Sequence, residues 1–320
     1  MLRSMYAGIS GMKGFQTKLD VIGNNIANVN TYGFKKGRMT FQDLMSQTVQ
    51  GAQAPQVDEN GDPVMGGKNP MQVGLGSTNG SIDTIHTQGS RQTTNRALDL
   101  ALEGDGMFVV AEKTASPGAQ DTISLQNDNV NFTRAGNFYL DDDGYIVNAN
   151  GQYLVGRSQL DNDPDNNTPD DTITYPNSKD GLGENTTRLK IPKDAQSFSI
   201  GGDGTVNIVN ANGQAQVAGQ IMLAKFSNQG GLEKVGSNNY QLTNNAGVYT
   251  DDGNFDGFAD LLVPGQDGSG SIYAGALEMS NVDLSEEFTE MITAQRGFQA
   301  NTRIITTSDE ILQELVNLKR

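Results

Sequence analysis

Few groups of residues in this sequence have the types and spacing that chemistry needs. Asp252-Gly253-Asn254-Phe255-Asp256-Gly257 opens like a calcium loop, with oxygen-bearing side chains at alternate positions ahead of a glycine. The twelfth position of such a loop requires a bidentate Glu and is Val263, so a β-turn is the expected reading. Asp161-Asn162-Asp163-Pro164-Asp165 has the same alternation without the glycine or the closing acid. Asp141-Asp142-Asp143-Gly144 reads as a solvated hairpin tip. His86 is the single histidine, and with no cysteine in the chain it has no second soft ligand for a metal. No serine sits in a Gly-x-Ser-x-Gly elbow, which argues against a triad built on His86. Gly74-Leu75-Gly76-Ser77-Thr78-Asn79-Gly80 lacks the spacing and the following helix of a phosphate loop. The 38 acids include no pair marked out for acid–base work, and an acid in a loop is ordinarily solvated. No catalysis, no cofactor and no metal site is therefore expected.

Composition points the same way. The chain has 320 residues, 39 of them glycine, no tryptophan, and a hydrophobic fraction of 35%, a lean core for an enzyme of that length. Its net charge of −16 disfavours nucleic acid and anionic membrane surfaces as partners. No apolar run approaches the ~20 residues of a membrane span, and charged and glycine residues break up the N-terminal stretch that a secretory signal would occupy. Any export is then expected to run without a cleaved signal.

What the sequence does specify is a pair of terminal helices. Leu277, Leu284, Met291, Phe298, Ile305 and Leu312 recur every seven residues, the spacing of a helix face that meets another helix. Asp283-Leu284-Ser285-Glu286 reads as a capping box at its start. The line four residues further on (Phe288, Gln295, Thr302, Asp309, Val316) is apolar only at its ends, and the other flank carries Ala294, Asn301, Ser308 and Leu315. At the opposite end Leu2, Met5, Ile9, Met12, Phe15, Leu19, Ile22, Ile26 and Val29 make a second helical stripe. Gly8, Gly11, Gly14 and Gly23 interrupt it, each costing about 1 kcal/mol relative to Ala. Such a helix needs a partner. Residues 1–38 carry six basic groups and one acid, whereas residues 276–320 carry eight acids and four basic groups, so the two ends are expected to pair as a coiled-coil-like foot. All of the first stripe except Phe15 and Val29, with the six heptad residues of the last helix, forms the expected interface.

Between the ends the writing is all-β and antiparallel: short alternating runs bounded by Gly, Asn and Asp. A heptapeptide, IVNANGQ, occurs at Ile146–Gln152 and again at Ile208–Gln214, each time after an Asp-Gly and with an internal Asn-Gly, which predicts two equivalent hairpins. The expected organisation is a helical domain of residues 1–33 and 277–320, an extended linker arm over 34–80, and a β domain of 81–156 and 188–276. Residues 157–187, with seven acids and three prolines, read as a small, exposed inserted lobe.

Three ordered motifs resemble the flagellar rod and hook axial proteins. Asn24–Lys35 (NNIANVNTYGFK) looks like that family's N-terminal signature, with Asn24, Asn25, Asn28, Asn30, Gly33 and Phe34 as the matching residues. Ala97–Phe108 (ALDLALEGDGMF) is similar to an internal family segment, and Leu277–Leu318, including Ser280-Asn281-Val282 and Gln295-Arg296, to its C-terminal helix. The resemblance implies signal-less export through the flagellar type III apparatus, homopolymerisation into a helical tube, and a place in the basal body or hook, outside the cell. The implied partners are further copies of the chain, rod and hook–filament junction proteins, the hook cap protein and the export apparatus. The hook subunit is the nearer match and the distal rod subunit the alternative. A secreted β-rich protein that binds or hydrolyses carbohydrate is the competing reading from another class.

Overall fold

The computed structural model describes residues 2–57, 63–113, 123, 125, 128–158, 175–183, 185–248, 255, 258–266 and 268–318. The chain forms two compact units, one of Met1–Ala27, Gly37–Thr84 and Asp283–Arg320, the other of Asn28–Lys36 and Ile85–Val282.

The first unit is built on two helices, α1 (Leu2–Ala27) and α2 (Leu284–Leu318). Helix α2 starts where the capping signal puts it: Asp283 Oδ1 accepts from the amides of Ser285 at 2.8 Å and Glu286 at 3.4 Å. The helices run antiparallel. Lys18 Nζ meets Glu290 Oε2 at 3.0 Å and Asn25 Nδ2 donates to Glu287 Oε2 at 3.1 Å, while Gly8 lies against Ile305 far along α2. Their seam is not centred on the heptad stripe. The deepest positions of α2 are Glu287, Ala294 and Ser308, on the small and polar flank, with Asn301 half-buried between them. The heptad residues Met291, Phe298, Ile305 and Leu312 lie beside that line and are only half-buried. Small side chains explain the shift, because they let the backbones approach most closely. The glycines of α1 serve the same end. A Cβ on Gly11 would lie 2.8 Å from Asn301 Nδ2, and a Cβ on Gly14 would lie 2.7 Å from the Phe41 ring.

The stretch expected as an extended linker arm, residues 34–80, contains paired strands. Gly37–Asp43 pairs antiparallel with Ser77–Thr84, Ser46–Gln50 with Met71–Gly74, and Gln56–Val57 with Pro63–Met65, making a two-stranded ribbon. Its base packs on α1 through Phe15 and Phe41, whose ring centroids are 5.5 Å apart, and through Asn79 Nδ2, which donates to Thr17 Oγ1 at 3.3 Å. A lone ribbon is marginal in water, so this anchorage is what fixes its root.

The second unit is antiparallel β throughout its described pairs. The main sheet runs Ser197–Ile200, Thr205–Val209, Ala215–Ile221, Tyr153–Ser158, Met107–Glu112, Asn129–Thr133, Asn239–Gln241 and Glu233–Gly236. Alternation along Met107–Glu112 shows why it holds: Phe108 and Val110 enter one apolar cluster, and Met107, Val109 and Ala111 enter the other. Both faces of the central strands are thus covered. The two IVNANGQ segments form matching hairpin tips. Gly151 donates its N–H to Asn148 O at 3.0 Å and Gly213 to Asn210 O at 2.8 Å, with φ of 79° and 78° at the two glycines. The inserted lobe is narrower than 157–187, because Arg157 and Ser158 pair with Thr186 and Gly219 within the sheet. Residues 159–174, which carry most of its acids, lie outside the described residues, as do Asp252, Asn254 and Asp256 of the calcium-like loop.

Candidate assembly surface and a buried ion cluster

The expected interface residues fall into three groups. Ile22 is buried, while Met5, Met12, Leu19 and Ile26 of α1 and Met291, Phe298, Ile305 and Leu312 of α2 are half-buried around the helix seam. Ile9 and Leu284 are exposed, and the side chain of Leu2 lies outside the described residues. Leu277 does not belong to the helix. It is buried in the strand Ala276–Glu278, opposite Gln92 of Arg91–Thr93, and shares the heptad spacing by coincidence. Beside the heptad residues, α2 leaves apolar side chains exposed at both ends, Phe288 and Ile292 with Leu284 near its start and Ile311, Leu315 and Val316 near its end. That is a large apolar surface for one helix to present to water.

The N-terminal motif divides between the two units. Asn25, in α1, is buried and bonds both backbone groups of Gly37: Nδ2 donates to its carbonyl and Oδ1 accepts from its amide, each at 2.9 Å. It thereby fixes how the ribbon leaves the helix. Asn24 is exposed one position earlier. Asn28 and Asn30 belong to the β unit, where Thr31 Oγ1 donates to Asn28 Oδ1 at 3.1 Å. Gly33 has φ of 69°, and a Cβ there would meet the Ala135 amide nitrogen at 2.6 Å, so only glycine fits. Its own N–H donates to Glu278 O at 2.9 Å. Phe34 lies half-buried under Lys234, whose Nζ is 5.0 Å from the ring centroid.

The next residue, Lys35, belongs to a fully buried ion pair. Lys35 Nζ lies 2.7 Å from Glu278 Oε1 and donates to Thr87 O at 2.7 Å, with both side chains fully buried. Glu278 Oε1 also accepts from the amide of Gly89 at 3.0 Å, and its Oε2 is 3.6 Å from Arg134 Nε. Arg134 NH2 donates to Gly104 O at 2.7 Å. Burial lowers the Lys35 pKa, against the attraction of Glu278, which raises it. His86 sits beside the group, its ring 5.5 Å from that of Tyr240. Burial, with Lys35, Lys234 and Arg134 nearby, brings His86 down to about 4, so its ring is neutral at pH 7. Burial also drives Tyr240 up to about 12. Asn281 ties the neighbouring strands together, accepting from the Lys36 amide at 2.8 Å and donating to Ile85 O at 2.8 Å. Lys35, Glu278, Arg134 and Asn281 each hold one segment of chain to another, while His86 Nδ1, Arg134 NH1 and Glu278 Oε2 are buried without a hydrogen-bond partner among the described residues. Lys35 and Asn281 lie inside the sequence motifs, but neither their burial nor their partners could be read from spacing.

Among the described residues no group of three or more His, Cys, Asp or Glu is placed to hold a metal, and no helix is long and apolar enough to cross a membrane. A closely packed helix pair with exposed apolar residues, and a β unit whose buried charges clamp chain segments, define a structural subunit. Family descriptions agree residue by residue: "Flagella basal body rod protein" over 5–35, "Flagellar hook protein FlgE/F/G D1 domain" over 122–208 and "Flagellar basal body rod FlgEFG protein C-terminal" over 273–318. The flagellar basal-body rod protein FlgG of Bacillus subtilis is 50% identical over 320 residues, covering all of both chains. FlgG of Caulobacter vibrioides is 34% identical over 319 residues, 99% of this chain and all of its own. The flagellar hook protein FlgE of Borreliella burgdorferi is 31% identical over 471 aligned positions, again covering both chains fully. The chain belongs to the family of flagellar rod and hook axial proteins, structural components of the bacterial flagellum.

Proposed function

We propose that this chain is a rod subunit of the flagellar axis, which polymerises with copies of itself into a tube. The observation that carries the polymer reading is the exposed apolar surface of α2: Phe288 and Ile292 near its start and Ile311 and Leu315 near its end stand in water, and tube formation would remove them from it at roughly 25 cal/mol per Å2. Rod is favoured over hook because the 50% identical rod relative matches at equal length, whereas the hook relative needs 471 aligned positions for this chain's 320 residues. The hook reading keeps one support, the match of residues 122–208 to a domain description shared by hook and rod proteins. Export through the type III apparatus and contacts with junction and cap proteins belong to the same proposal.

Two measurements test it. Purified protein at high concentration should sediment as tubes visible by electron microscopy; a persistent monomer would refute the polymer reading. Deleting the gene should leave a truncated rod. A finished rod lacking only its hook would establish the hook reading instead.

A further inference from the structure

The β unit contains a groove of about 420 Å3 walled by Asn30, Tyr32, Asn137, Asn150 and Asn238, among others. None of its described lining residues is charged, in a chain with 38 acids and a net charge of −16. Asn238 is committed, since its Nδ2 donates to Tyr32 O at 2.8 Å. The carboxamides of Asn30, Asn137 and Asn150 have no hydrogen-bond partner among the described residues. Each offers two donors and an acceptor to whatever enters.

The repeated heptapeptide indicates what that is. In its first copy Gln152 is buried, and its Oε1 accepts from Asn148 Nδ2 at 2.9 Å and from Asn239 Nδ2 at 2.7 Å. The tip is thus bonded to an asparagine of the next hairpin. The second copy has the same seven residues and the same turn, yet the carboxamides of Gln214 and Asn212 are exposed and have no hydrogen-bond partner among the described residues, although Gln214 O accepts from the Asn210 amide at 3.0 Å. An amide-rich tip that satisfies itself on asparagine in one copy lacks that partner in the other.

We propose that the groove receives the second tip, Asn210–Gln214, of a neighbouring copy of this chain. Electrostatics favours this match. Two chains of net charge −16 repel, so a surface that joins them must be poor in acid, and both the groove and the tip are uncharged. Geometry favours it as well. Groove and tip are different surfaces of one chain, so the contact is head-to-tail, the kind that propagates into a helical filament when its rotation does not close. The inference rests on the polymer reading above and supplies one of its contacts.

The test uses the full chain and its critical concentration for tube formation. Asn137→Asp in the groove and Asn212→Lys at the tip should each raise that concentration by about tenfold, and the double variant, with opposite charges brought together, should return to within about threefold of the unaltered protein. Circular dichroism should show all variants folded, since Asn212 is exposed and Asn137 half-exposed. Single variants that polymerise like the unaltered chain, or a double variant that does not recover, would overturn the contact while leaving the polymer reading standing. Failure of the unaltered protein to polymerise would overturn both. Binding of chitotetraose that Asn137→Asp abolishes, with polymerisation unaffected, would reassign the groove to a neutral glycan.

Discussion

Replacing Glu278 by Gln should damage the β unit more than replacing Lys35 by Met, although the two residues form one ion pair. The reason lies in the third member of the cluster. Without Lys35, the Glu278 carboxylate keeps Arg134 at 3.6 Å and the Gly89 amide at 3.0 Å, so its charge remains compensated. Without the carboxylate, two buried cations face each other, and arginine cannot shed its proton. Breaking a buried pair costs about 3–5 kcal/mol. Lys35→Met should fall near the lower end and Glu278→Gln near the upper. For a unit of roughly 200 residues each kcal/mol moves the melting temperature by about 2–4 °C, so the losses should be about 6–12 °C and 10–20 °C. The pH dependence provides a second readout. Lys35 already titrates below its ordinary value because it is buried. In Glu278→Gln that depression deepens, so the unfolded chain binds more protons than the folded one as pH rises toward 10.5, and stability should climb over that range. Differential scanning calorimetry between pH 7 and 10 measures both effects. If Glu278→Gln melts within 2 °C of a control such as Glu103→Gln at the exposed Arg91 pair, the cluster does not clamp the motif and this reasoning fails.

His86 should make the β unit acid-sensitive. Its folded pKa of about 4 lies below the ordinary 6.5, so from pH 6.5 downward the unfolded chain takes up a proton the folded one refuses, costing up to about 3 kcal/mol by pH 4; urea midpoints at pH 7 and 4.5 should differ less in His86→Phe. Two glycines should respond oppositely to alanine. Gly23 has nothing within 4 Å of a new Cβ and sits inside α1, so Gly23→Ala should stabilise by about 0.5–1 kcal/mol, whereas Gly33→Ala should destabilise the β unit by more than 2 kcal/mol; thermal melts of each variant read the signs. Ile311→Asp, at an exposed apolar residue near the end of α2, should leave the circular dichroism of the dilute protein unchanged and abolish sedimentable tubes. Normal tubes from that variant would mean that the exposed end of α2 is not an interface.

Local rules made the helices, the cap at Asp283 and the repeated hairpin tips legible in the sequence, because each is decided by residues a few positions apart. The errors arose where distance along the chain hides the partner. Lys35 and Glu278 are 243 positions apart, and nothing in either neighbourhood announces a buried pair. Leu277 matched a heptad because strand and helix periods coincide at a single residue, and one residue has no period of its own. Beyond its base the ribbon has exposed strands, Ser46–Gln50 and Met71–Gly74, so the pattern that betrays a half-buried strand was absent there.

The same logic accounts for the glycines of α1, which cost helix stability and yet recur at 8, 11 and 14. Three glycines three positions apart lie along one side of a helix, and here that side faces Ile305, Asn301 and Phe41 at van der Waals distance or closer. A helix with good intrinsic propensity at those sites would stand further from α2, and the small line of Ala294 and Ser308 would lose its partner. At Gly8 and Gly11 the sequence therefore gives up roughly 2 kcal/mol of local helix preference for a close approach that exists only when α1 and α2 are together, and at Gly14 about 1 kcal/mol more for the approach of Phe41. That trade leaves the helical unit dependent on packing for its order, while the exposed apolar residues of α2 remain uncovered. Hydrogen exchange should detect the consequence: amides of α1 in dilute protein should exchange well before those of the strand Met107–Glu112, and should slow when tubes form. Equal protection of α1 and that strand in the dilute protein would mean the helix pair is already stable alone, and assembly would then have nothing left to order.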